Sequence, residues 1–216
     1  MEKLSKLKKI LNKIYYHLFI ERFKKKIIFN FPENFYRWDM IEYLCKKRKF
    51  NNYLEIGCDK DELFSKINIE NKIGVDPISG GNTRLTSDQF FLNNKLHEYE
   101  QVKKDIINSL KNLNENGIVL VHDCLPDSLS KQAVPRFRMI WNGNVWKAIV
   151  DLRCLENIEI YTCEVDQGIA IIQNKKNTDK LSIDTNAKDL KFKDFYNNHK
   201  KYMRIISRDD FEKKFN

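Results

Sequence analysis

Gly117-Ile118-Val119-Leu120-Val121-His122-Asp123 is the stretch on which the fold turns. Four apolar residues, three of them β-branched, stand between a glycine and two polar groups. Such a run predicts a strand buried on both faces that ends in groups able to do chemistry. Working outward, a helix is predicted over 98–113, closed by Asn114-Glu115-Asn116-Gly117. Tyr53-Leu54-Glu55-Ile56-Gly57 predicts a strand ending at a glycine, and 72–76 a second strand stopped by Pro77. A brief strand or turn is expected near 84–86, with Ser87 capping a short helix through Phe91. Helices are further expected over 36–47, 61–66 and 145–152, and strands over 158–162 and 168–172. Strands alternating with helices place the chain in the α/β class, with a mostly parallel sheet covered on both faces.

The 216 residues suit one domain with extensions, and 14 Phe, 9 Tyr and 3 Trp can fill a core, which excludes a wholly disordered chain. The net charge of +9 is unevenly placed. Residues 1–50 carry 14 Lys/Arg against 5 Asp/Glu, residues 51–173 carry 13 against 18, and residues 174–216 carry 12 against 7. The middle is acidic and shows no basic stripe with interleaved aromatics, so nucleic acid is not an expected partner. Five cysteines without a CxxC pair, in a chain with no signal-peptide pattern, read as reduced thiols of a cytoplasmic protein. No stretch reaches the ~20 apolar residues of a membrane span.

Residues 2–28 read as a basic amphipathic helix, with Leu4, Leu7, Leu11, Ile14, Tyr15, Leu18 and Phe19 at helical spacing and lysines between them. Two readings stand open: a helix packed on the domain or a partner subunit, as in a homo-oligomer, or one lying in the plane of an anionic membrane at its inner face. The chain thus divides into a helical extension (1–30), an α/β domain (31–173) and a polar, helical C-terminal tail (174–216).

Ligands of open α/β sheets bind beyond the carboxyl ends of the strands. Three predicted strands end there in suitable residues: Glu55-Ile56-Gly57-Cys58-Asp59, then Asp76, then His122-Asp123. The order YLEIG, GVDP, TSDQFF, LHEYEQVKKDI, GIVLVHDCLP resembles class I S-adenosylmethionine-dependent methyltransferases, closest to a small bacterial group associated with sugar or glycan modification. The similarity covers roughly residues 30–173, and Gln132 to Arg153, with WNGNVWKAIVDLR inside it, resembles that group's segment after the fifth strand. The resemblance implies a Rossmann-like three-layer sandwich, S-adenosylmethionine as cofactor, and methyl transfer to a hydroxyl of a sugar or other small molecule. It implies that Glu55, Gly57 and Cys58 form the first cofactor motif, that Asp76 holds the ribose hydroxyls, and that Ser87 and Asp88 lie near the adenine.

One departure stands out. In the family, a fourth strand ending in Asp follows the segment like TSDQFF, whereas here Phe90-Phe91-Leu92-Asn93-Asn94-Lys95 runs straight into Leu96-His97-Glu98. The sheet is therefore expected to be one central strand short, with the strands at 53–57 and 118–121 as direct neighbours. The alternative to an active enzyme is then a catalytically inactive module that docks to a partner or membrane. His122, Asp123 and His97 are the candidate catalytic residues, with His122 as base and His97 as the other candidate. No metal is expected, since the strand-four Asp that would accompany Asp123 is missing. Arg138, Trp141 and Trp146 either line the acceptor pocket or, for the tryptophans, belong to the core.

Overall fold

Strand β1 (Asn52–Ile56) is the first element of a seven-stranded sheet in the order β2-β1-β3-β4-β6-β5-β7. The other strands are β2 (Asn71–Val75), β3 (Ser87–Leu92), β4 (Leu113–Val121), β5 (Glu159–Cys163), β6 (Ile169–Gln173) and β7 (Ile205–Ile206). The computed structural model describes residues 7, 10, 11, 14, 15, 26–58, 62–75, 87–92, 97–136 and 139–216, with the side chains of 87 and 88 left aside. Strands β2, β1, β3 and β4 run parallel, β6 is antiparallel to β4, and β5 pairs antiparallel to β6 and parallel to β7.

The two faces follow the alternation of side chains along each strand. Leu54, Phe90, Leu92, Val119 and Val121 point to one core. Helices α2 (Tyr99–Lys111), α4 (Val145–Leu152) and α5 (Phe192–Met203) cover it through Val102, Ile106, Trp146, Ile149, Phe195 and Met203. Tyr53, Phe91, Ile118 and Leu120 point the other way, beneath α1 (Arg37–Arg48), which contributes Met40, Ile41 and Leu44. Helix α6 (Arg208–Lys214) adds Phe211 to that face, and the short α3 (Leu129–Gln132) lies in the loop after β4. Residues 174–216, polar in composition, thus supply a strand and cover on both faces. A chain of helices and strands in this arrangement is a three-layer, mostly parallel, Rossmann-like α/β sandwich.

The central gap expected from the sequence does not exist. Residues 87–92 form β3, which pairs with β1 (Tyr53 with Gln89, Ile56 with Leu92) and with β4 (Gln89 with Ile118, Leu92 with Val121). The expectations of a short helix through Phe91 and of direct pairing between the strands at 53–57 and 118–121 are both corrected. The physical reason is the cost of the alternative. Two facing rows of N–H and C=O groups, buried without partners, would each cost about 1–3 kcal/mol. Residues 89–92 can fill the slot because they are apolar on both faces: Phe90 is 3% exposed, Phe91 and Leu92 not at all. The one polar side chain of this run, buried Gln89, accepts a hydrogen bond from the Cys45 thiol of α1 at 2.8 Å. Ser87 as a helix cap is a local preference, and tertiary pairing overrides it.

Strand β4 begins earlier than predicted, at Leu113, and a register shift between Ser87 and Gln89 absorbs the additional residues. The central position of β3 makes a definite prediction. Phe91→Ala should cost about 3–5 kcal/mol in urea unfolding, the range for emptying a fully buried aromatic site. A cost below about 1 kcal/mol, typical of a surface position, would contradict β3.

Candidate functional site at the carboxyl edge of the sheet

Ile56, Leu92 and Val121 end level with one another, so the residues after each of these strands collect on one edge. After β1 comes Gly57, in the left-handed region at φ 88°, whose N–H donates to Val75 O at 2.8 Å. The turn therefore presents main chain rather than a side chain at the edge. Cys58 is buried, and its thiol faces Glu55 O at 3.6 Å and Val75 O at 4.0 Å, into the protein. Glu55 is fully buried within β1, its Oε2 accepting from the Tyr53 hydroxyl at 2.8 Å. Asp76 and Arg138 lie outside the described residues. Ser87 and Asp88 open β3, and because β3 runs parallel to β1 their backbone lies at the amino end of the sheet, a strand's length from Gly57. The resemblance would put them near the adenine, and their backbone is at the opposite end of β3 from Leu92.

The densest chemistry follows β4. The His122 N–H continues the ladder to Leu92 O at 3.1 Å, and Asp123 turns away at φ 64°. Because β6 is antiparallel to β4, the turn at Asp166-Gln167-Gly168 comes to the same edge, where Cys124 N–H donates to Gly168 O and Leu125 N–H to Gln167 O. His122 is thereby held between two carboxylates, with Nδ1 3.2 Å from Asp123 Oδ2 and Nε2 3.7 Å from Asp166 Oδ1. Arg37, at the start of α1, donates to Asp166 Oδ2 at 3.0 Å.

His97 approaches the same oxygen of Asp123, Nδ1 to Oδ2 at 3.4 Å. Its ring lies on the Trp141 indole, centroids 4.9 Å apart and planes within 2°. Residues 141–144 hold both partners. Asn142 Nδ2 donates to Asp123 Oδ1 at 3.2 Å, Asn144 N–H donates to His97 O at 3.0 Å, and Asn144 Oδ1 accepts from the Tyr99 N–H at 2.6 Å. Gly143 is obligatory here: it adopts φ +61°, and a Cβ would sit 2.0 Å from His97 O. Trp141 thus supports a histidine. Trp146, fully buried against Phe195 with centroids 4.8 Å apart, is core.

The two histidines hold opposite charge states. For His122, burial opposes the charged form, but Asp123 and Asp166 outweigh it and raise the pKa to about 9. Burial likewise opposes ionisation of Asp123, and His122 then His97 overcome it and lower its pKa. Asp166 follows the same balance, lowered to about 2 by His122 and Arg37 against burial. His97 goes the other way. Burial lowers its pKa, and the pull of Asp123 does not restore it. At neutral pH His122 is therefore a cation and His97 a neutral imidazole. In that state His122, a buried imidazolium between two carboxylates, has no lone pair to offer as a base. Cys124 is no nucleophile either, since burial pushes its thiol far up.

Backbone strain concentrates at the same place. His97 (φ 45°), Asp123 (64°), Asp166 (40°) and Gln167 (66°) are all non-glycine residues in the left-handed region. Such conformations cost of order 1–3 kcal/mol each and persist where the surroundings over-determine them, which is typical of functional sites.

No protein-family model and no curated protein sequence matches the chain. Solved structures do. One is the SAH-bound methyltransferase PaMTH1 of Podospora anserina, 16% identical, TM-score 0.45, covering 65% of this chain and 78% of that one. A putative O-methyltransferase from Klebsiella pneumoniae is 9% identical, TM-score 0.45, covering 67% and 84%. A putative caffeoyl-CoA O-methyltransferase from Staphylococcus aureus is 16% identical, TM-score 0.44, covering 79% and 97%. Likenesses of this size carry no functional conclusion for the chain.

The charge states give a pH prediction. His122 has a folded pKa of about 9 against an ordinary value near 6.5. Its contribution to stability is complete below about pH 6.5 and is lost as pH rises through about 9. Melting curves should show Tm falling across that window. His122→Gln should be less stable at pH 7 by about 3–5 kcal/mol, as when one partner of a buried pair is removed, with a shallower alkaline decline. An unchanged alkaline decline in the variant would exclude His122 as its source.

Proposed function

We propose that the protein transfers a methyl group from S-adenosylmethionine to a hydroxyl of a sugar or other small acceptor, with His97 as general base. The observation that carries this reading is the neutral His97 at the carboxyl edge, held against a buried Asp123 that is itself kept ionised by His122. A base must be unprotonated at working pH and fixed in direction, and His97 meets both conditions. Nδ1 faces Asp123 Oδ2, so the carboxylate can stabilise the ring once it has taken up a proton.

The β1 edge is compatible with the proposed cofactor. Gly57 offers a main-chain turn without a side chain in the way, and Asp76, directly after β2, supplies the carboxylate that the family resemblance assigns to the ribose hydroxyls. Glu55 and Cys58 act on this reading through the turn they buttress, since Glu55 is bonded to Tyr53 and the Cys58 thiol points inward. When bound, S-adenosylmethionine supplies an electrophilic methyl carbon on a sulfonium. Transfer of that methyl to the acceptor oxygen would break its bond to sulfur and leave S-adenosylhomocysteine; the residues' part would be for the His97 ring to take the acceptor O–H proton, for Asp123 to stabilise the imidazolium so formed, and for the proton then to pass to solvent. His122 keeps Asp123 anionic throughout. The ground for an inactive module was the missing central strand, and β3 occupies that position.

Isothermal calorimetry and a methyl-transfer assay test this. S-adenosylmethionine should bind the wild type, and Asp76→Ala should abolish detectable binding. His97→Gln should keep the cofactor affinity within about 2-fold and lower kcat by about 10²–10⁴, the range for a positioned base. With an acceptor in hand, kcat should already be on its plateau at neutral pH, because the His97 pKa lies below 6.5. No binding by the folded wild type, or full activity in His97→Gln, would overturn the proposal.

A further inference from the structure

Within the first 15 residues, Leu7, Ile10, Leu11, Ile14 and Tyr15 are helical. The four aliphatic side chains, at spacings of three and four, lie on one face of a helix and are 48–57% exposed. No other part of the described chain covers them to the degree seen in the core. Around them the sequence is strongly basic: residues 1–28 hold nine Lys/Arg and two Asp/Glu.

We infer that this segment docks the protein on an anionic lipid surface, its axis in the membrane plane. Among occupants of the apolar stripe, a bilayer interface is the one that satisfies both features together. The aliphatic side chains enter the acyl boundary while the lysines meet lipid phosphates. A second copy would bring two strongly positive segments together, which like-charge repulsion opposes. A nucleic acid would use the lysines and leave the stripe in water. The short hydrophobic segment lies on the membrane rather than crossing it, and among the described residues no helix is long and apolar enough to span.

The point of attachment also has meaning. The segment joins the body at Ile27, whose side chain is in the core and whose N–H donates to Asp127 O at 2.8 Å. Asp127 lies four residues past Asp123, in the loop that leaves the carboxyl edge, so the basic segment is tethered on the side of the domain that carries the site. Docking would hold that edge next to the lipid surface. The inference does not depend on the methyl-transfer reading.

Flotation of the full-length protein with vesicles tests it. The protein should rise with vesicles containing about one-third phosphatidylglycerol in phosphatidylcholine, and not with phosphatidylcholine alone. Raising the salt to about 0.5 M should weaken binding, because it screens the lysines. The double substitution Leu11→Asp with Ile14→Asp, at exposed positions, should leave Tm unchanged and lower the partition coefficient at least about 10-fold. No flotation with anionic vesicles would overturn the inference. So would flotation that the double variant leaves intact, which would mean adsorption by charge alone. Light scattering that shows a dimer in the wild type and a monomer in the double variant would assign the stripe to a second copy instead.

Discussion

Asp123 is a carboxylate with 6% of its surface exposed at the end of a buried strand, and the site is arranged around keeping it ionised. An isolated charge there would be too costly, and the group would neutralise itself instead. His122, the preceding residue, offsets that cost, and it requires a second counter-charge of its own, which Asp166 supplies with Arg37 behind it. The chain Arg37, Asp166, His122, Asp123 alternates in sign, and His97 faces the same Asp123 oxygen as His122. The elements it joins, the start of α1, the turn before β6, the end of β4 and the entry to α2, are those that meet at the carboxyl edge. This pairing specifies geometry more than it adds stability, since buried ion pairs roughly break even against their desolvation.

Most of the frame was legible in the sequence because most of it is periodic. Helix α4 is the span 145–152 that the apolar spacing predicts, and β1, β2, β5 and β6 fall within a residue or two of their expected limits. The largest exception is β3; β4 also starts five residues early, and of the helix expected over 61–66 the described residues form only a 3-10 turn at Phe64–Lys66. The six residues of β3 begin with a helix-capping signal, and the next side chains fit a short helix or a strand equally well. The deciding factor is the demand for a strand between β1 and β4, a long-range constraint that no local window carries.

The site divides the same way. His97, His122 and Asp123 could be picked out by type and by position after strands, but their roles could not be ranked. Two residues that set those roles are remote in sequence: Asp166 comes alongside because β6 runs antiparallel to β4, and Asn142 reaches Asp123 from a loop 19 residues on. The turn Asp166-Gln167-Gly168 looks in sequence like any connection between two strands. Trp141 likewise reads as a pocket or core aromatic, and its stacking on His97 follows from a close approach of Gly143 to the His97 backbone that only three-dimensional packing defines. Side-chain chemistry marks the candidates, and burial with counter-charges assigns their work.

The central claim is that two histidines beside one buried carboxylate hold different protonation states, His122 charged by Asp123 and Asp166 and His97 kept neutral by burial. Titration of the histidine ring carbons and nitrogens by NMR in the full-length protein tests it most directly. The account predicts that His122 remains an imidazolium at pH 7.5 and loses its proton near pH 9, while His97 is already neutral at pH 7.5 and titrates below 6.5. A His122 signal that titrates near 6.5, or a His97 that is protonated at pH 7.5, would contradict it.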